Sequence, residues 1–168
     1  MSDYSSGFVA FVLAKSVITG SASGITDSNW VPKKLYRLHY PDANASGIKK
    51  ALYYFGGFGA NDAATQSLYA FRNALVHNAS LLNERNGVYY SFRYDSAVHS
   101  VVVPAAQPWD GKMASLNDNT TTIVNPGQLV ELVTAMVGRL NDYLAAGILQ
   151  TGLSASDIVS NYLLLSKK

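Results

Sequence analysis

Apolar side chains recur every three or four positions through Ala64, Leu68, Phe71, Leu75, Ala79 and Leu82. A chain with this spacing hides them most simply as the core-facing stripe of an α-helix. Asn61 and Asp62 stand just ahead of the stripe, and either side chain can accept from the free amides of a first turn. A helix is therefore expected over residues 62–83.

A second helix is signalled as strongly. Asn125 can cap it, Pro126 has the φ of a first helical residue, and Gln128 is placed to bond back to the cap. The stripe Leu129, Leu132, Val133, Met136, Leu140, Tyr143 and Leu144 follows, and Gly147 marks the stop, so the spacing predicts a helix over residues 126–146. Weaker patterns predict helices over residues 44–56, carrying Ile48, Ala51, Leu52 and Phe55, and over residues 155–165, carrying Ile158, Tyr162 and Leu165. Residues 4–19 hold Phe8, Val9, Phe11, Val12, Leu13, Val17 and Ile18 around most of a helix circumference, as in a helix buried on more than one side.

Past Asn86-Gly87 the pattern changes. Val88-Tyr89-Tyr90-Ser91-Phe92-Arg93-Tyr94, then Asp95-Ser96, then the apolar run ending at Val103 read as an antiparallel hairpin over residues 88–103, closed by Pro104 and Pro108. Thr120 to Val124 is β-branched at every position and reads as a third short strand. There is no internal repeat, low-complexity run or dividing linker, so residues 1–168 read as one domain. The expected fold class is mainly α, a helical bundle with a small inserted β-hairpin or sheet.

Composition narrows the function. With 14% charged residues and 48% hydrophobic, the chain belongs among globular proteins. It has no cysteine, which excludes a disulfide framework, a thiolate zinc site and a cysteine nucleophile. The formal charge is only +2, with basic residues scattered in pairs such as Lys33-Lys34 and Lys49-Lys50, so extensive phosphate contact with duplex DNA is not expected. The apolar stretch from Gly7 to Ile18 is too short to span a bilayer and follows an acidic rather than a basic start, so no membrane association and a cytoplasmic location are expected.

The chemistry gathers on the helix that carries the first stripe. At 100° per residue Asn73 and His77 lie about 40° apart, on a face expected to be turned away from the core. Arg72 stands on the flank, and its long side chain can reach round to the imidazole. By geometry alone, a solvated helix face with an ordinary surface histidine fits equally well.

Arg72-Asn73, three further residues and His77, with Asn78 next and the aromatic Tyr69 and Phe71 before, resemble the defining motif of the HEPN superfamily: arginine, a polar residue often asparagine, three residues, histidine. The resemblance covers the predicted helices, and the hairpin departs from the family's all-helical core. It implies a HEPN-like bundle and a ribonuclease that needs no metal, with Arg72, Asn73 and His77 as site residues. It further implies a homodimer in which two such sites meet, an RNA substrate, and a role as a toxin or phage-defence effector with an antitoxin protein as partner. The residue types suit that chemistry. Cleavage by the 2′-hydroxyl of RNA needs a base or acid that works near neutrality, which histidine supplies. Charge developing on phosphorus calls for a cation with planar donors, which arginine supplies better than lysine. A catalytically silent HEPN module that binds nucleotide or RNA, and a subunit whose polar face only makes a protein interface, are the alternatives.

Other clusters are weaker. His39 and His99 have no spacing that pairs them with carboxylates, so no metal or other cofactor is expected. Trp109-Asp110-Gly111 reads as a turn with an anchoring aromatic. The alternating Tyr89, Tyr90, Phe92 and Tyr94 read as packing rather than as a base-stacking platform. Gly56-Gly57-Phe58-Gly59 lacks the lysine and the preceding strand of a phosphate loop and reads as a corner between helices.

Overall fold

A computed structural model describes residues 40–149 apart from Ala43. The helices expected at residues 4–19 and 155–165, and His39, lie outside the described residues. Contacts cluster into two compact units, whose described parts are residues 58–132 and residues 40–57 with 133–149.

The first unit is built on helix α2 and a four-stranded sheet. Helix α2 spans Ala63–Asn78. Asp62 caps it, accepting from the Thr65 amide at 2.7 Å and from the Gly59 amide at 2.8 Å. Slight burial would raise the Asp62 pKa, but the hydrogen bonds from Thr65 and Gly59 outweigh it and hold the carboxyl below its usual value. Strands β1 (Leu82–Arg85), β2 (Val88–Tyr94), β3 (Val102–Val103) and β4 (Thr121–Val124) follow, in the spatial order β1-β2-β4-β3. β1 and β2 are antiparallel, β2 and β4 parallel, and β3 and β4 antiparallel. The long connection from Asp95 to Thr120 permits the parallel pair, which no tight turn could make.

This sheet corrects the expected fold class. The protein is not a mainly-α HEPN-like bundle with a small inserted hairpin: the described residues hold three α-helices beside a four-stranded mixed sheet. Two local readings change with it. Helix α2 stops at Asn78 rather than near residue 83, because Ala79 turns left-handed at φ 46° and the Ser80 amide closes back on the Ala74 carbonyl at 3.2 Å. Leu82, read as the last residue of the helical stripe, opens β1 and pairs with Ser91. The hairpin over residues 88–103 does not form either. β2 turns back on β1 through Asn86 and Gly87, both at positive φ (53° and 76°), the geometry of a two-residue turn that matches strand twist. Val102 and Val103 pair instead with Val124 and Ile123. The third short strand read at residues 120–124 is present as β4.

α2 packs on the sheet through Phe71, whose ring meets Phe92 edge-on at 5.3 Å and Tyr94 at 6.0 Å between centroids. The register sets Phe92 beside Thr122 and Val124 beside both Tyr94 and Val102, and of these only Tyr94 is exposed. The cap of the next helix locks the far end of the sheet. Asn125 Oδ1 accepts from the Gln128 amide at 3.1 Å while its Nδ2 donates to the Val98 carbonyl at 2.6 Å. The Gln128 side chain does not bond back to the cap as expected; it donates to Glu131 at 2.9 Å.

That helix, α3, spans Pro126–Ala145 and runs from the first unit into the second. The second unit also holds α1 (Gly47–Ala51), continued by a π-helical turn at Leu52–Gly56, so the helix read over residues 44–56 is present but shorter at its start. Gly57 ends it at φ 78°, and Arg139 of α3 donates to the Phe55 carbonyl at 2.6 Å. Among the described residues no helix is long and apolar enough to cross a membrane.

Candidate functional site

The last two turns of α2 bring Arg72, Asn73 and His77 together. Arg72 Nη1 donates to Asn73 Oδ1 at 2.7 Å and lies 3.2 Å from His77 Nε2. A guanidinium has donors only, so a hydrogen bond in this contact takes Nε2 as its acceptor. His77 is exposed and Arg72 half-buried.

Asn73 differs from expectation. It was placed with His77 on a face turned from the core, yet it is only 8% exposed. Its carbonyl oxygen holds the arginine, not the imidazole, so its role is to aim Arg72 across the helix. A polar side chain this buried must have a partner, and the charged donor provides one. Arg72 Nε is itself buried and makes no hydrogen bond, and the contacts to Asn73 and His77 are both made through Nη1.

His77 stands one residue before the last of α2. The carbonyl end of a helix carries partial negative charge, so attraction for a phosphate here must come from arginine side chains. A second arginine stands nearby, which helical spacing alone does not bring to the site. Arg85, at the end of β1, donates from Nη1 to the Tyr69 hydroxyl and lies over the Tyr69 ring, 5.4 Å from its centroid. Tyr69 is one helical turn before Arg72 and Asn73, so Arg85 is brought to the same stretch of α2. The Asn86-Gly87 pair, a strong hairpin signal, could have revealed the strand that delivers it.

The other sequence candidates fall elsewhere. His99 is exposed in the connection between β2 and β3. Trp109 is a buried anchor, as read, and its indole donates to the Lys112 carbonyl at 2.9 Å. Asp110 beside it accepts from the Ser115 hydroxyl and the Lys112 amide, which lower its pKa. Tyr90 stacks on Phe92 with planes 3° apart, a packing role as expected. Among the described residues no cluster of three or more histidine or acidic side chains could hold a metal ion.

Compared with protein-family models, with curated proteins and with solved structures, the chain has no match.

Proposed function

We propose that this protein is a metal-independent endoribonuclease of HEPN type in its site, cutting RNA through the RNA's own 2′-hydroxyl with Arg72, Asn73 and His77. The reading is carried by one observation: the Arg72 guanidinium joins Asn73 and the acceptor nitrogen of His77 in one chain of bonds. The motif supports it independently of the fold, which is not the family's helical bundle.

In this reading an incoming phosphate draws the Arg72 guanidinium to itself and releases the Nε2 lone pair. O2′ then gives its proton to Nε2 and bonds to phosphorus, the P–O5′ bond breaks, and O5′ takes a proton from the imidazolium form of His77 in a second copy of the chain. Arg72 neutralises the charge that builds on the phosphorane oxygens. The nucleophile belongs to the substrate and the cation to the protein, so neither task requires a metal. We place the enzyme in the cytoplasm, as a toxin or defence effector restrained by a protein antitoxin.

Labelled single-stranded RNA incubated with purified protein in excess EDTA tests this. Cleavage should persist and leave 2′,3′-cyclic phosphate and 5′-hydroxyl ends. Ends bearing 5′-phosphate, or activity lost on chelation, contradict the mechanism.

One imidazole cannot be base and acid in the same step, and a second copy supplies the other. Val76, 42% exposed beside His77, and Leu82, 38% exposed just past the helix, give the site an apolar flank suited to a twofold contact. The protein should sediment as a homodimer at micromolar concentration. A Ser80→Cys variant, whose cysteine is the only one in the chain, should cross-link across the axis. An active monomer overturns the shared site.

A further inference from the structure

Beyond Ser91 toward its start, β2 has no β4 neighbour, and the gap beside residues 88–90 is a slot of about 230 Å³. Its walls are the first turns of α2, the edge of β2 and the loop from Pro104 to Trp109. We propose that this slot binds one unpaired nucleobase of a single-stranded RNA, a proposal that rests on the ribonuclease reading for the nature of the strand.

The chemistry of the lining selects the occupant. Among the described residues no charged side chain lines the slot, so a phosphate or carboxylate there would lose its hydration without a counter-charge from them. Gln107 and Ser67 also line it, so a purely apolar molecule would offer their polar groups no partner. Tyr89 and Trp109 supply flat apolar surface. A planar ring with donors and acceptors on its edge answers both demands, as in the recognition of splayed-out bases. The volume lies below the roughly 300 Å³ at which pockets for larger ligands begin, which suits one ring system and not a whole nucleotide.

Bonds within the protein hold the walls of the slot in place. The Ala105 amide donates to Thr122 Oγ1 at 3.3 Å, and the Gln107 amide to the Asn119 carbonyl at 2.9 Å. Trp109 bridges to Tyr89 across the gap, with rings at 78°. Gly111, at φ 83°, has no Cβ, and one there would come within 2.9 Å of the Tyr89 ring, so the bare backbone is what lets that ring lie where it does. A preformed slot spares the ordering cost of binding.

Gln66 and His77 are on one rigid helix, about 16 Å apart along its axis by the helical rise. A base held in the slot therefore sits a fixed few nucleotides from the bond that His77 addresses. Base preference should appear at one position removed from the cut rather than at the cut itself.

The test uses full-length protein and fluorescein-labelled 2′-O-methyl oligonucleotides, which cannot be cleaved, with each base in turn at every position. Tyr89→Ala and Gln107→Ala change exposed side chains and should leave the circular dichroism spectrum intact. Each should weaken binding by about tenfold and flatten the base preference. On cleavable RNA they should raise KM and leave kcat within about twofold. Unchanged affinity and unchanged preference in both variants overturn the slot while leaving cleavage by Arg72 and His77 standing. Base-selective binding that the two variants abolish, in a protein that never cuts RNA, upholds the slot and removes the ribonuclease reading instead.

Discussion

His77→Ala and Arg72→Ala should each lower the single-turnover rate of RNA cleavage by about a hundredfold or more. General acid–base catalysis contributes about 10²–10⁴ in rate, and one preorganised charge donor about 10²–10³. Losing either is worth about 2.7 kcal/mol or more of barrier. Arg72→Lys should be nearly as poor as Arg72→Ala. A lysine ammonium lacks the planar fork of donors that can pair with two phosphoryl oxygens at once. His77 is exposed and its replacement should leave the denaturation midpoint nearly unchanged, so a lost rate can be read as lost chemistry. Wild-type cleavage by either alanine variant would show that the reacting groups are elsewhere.

Phe71→Ala should destabilise the fold by about 3–5 kcal/mol, the usual cost of emptying a buried aromatic site. Phe71 is 1% exposed, and its ring joins α2 to β2 through Phe92 and Tyr94. Its loss leaves a cavity between helix and sheet that a four-stranded sheet cannot close without bending. Urea denaturation followed by circular dichroism measures this, with Met113→Ala, a 68% exposed site in the same unit, as the near-neutral control. A loss under about 1 kcal/mol at Phe71 would mean that α2 is held by other contacts and that the position of Arg72 and His77 does not depend on this ring.

Both predictions turn on α2, and it is instructive how much of it was legible. Its start was, because the Asp62 carboxylate and the Thr65 amide are three residues apart and form their bond locally. Its end was not. Ala79 extends an apolar stripe and is a good helix former, and nothing local says that it will adopt a left-handed conformation, which costs a non-glycine residue about 1–2 kcal/mol. That cost is offset only after Leu82 pairs with Ser91 and Asn83 with Tyr90, in partners that the hairpin turn brings round.

Asn73 shows the same division at the site. Helical periodicity put Arg72, Asn73 and His77 within reach of one another, and the bonds among them follow. Periodicity placed Asn73 away from the core because it counts the apolar stripe only. Its burial depends on what packs around the helix, which no stripe encodes.

By itself the sequence determined the features that depend on residues a few positions apart: the caps at Asp62 and Asn125, the extent of α3, the β character of residues 121–124, and the reach of Arg72 to His77. The tertiary structure decided the sheet order, the parallel pairing of β2 with β4, the arrival of Arg85 at Tyr69, and the slot beside Tyr89. The physical reason is that strand pairing and side-chain burial are settled between residues distant along the chain, where each strand has several partners of similar local quality. Only the closing of Phe71 onto Phe92, and of Val102 onto Val124, makes one of those pairings the lowest in free energy.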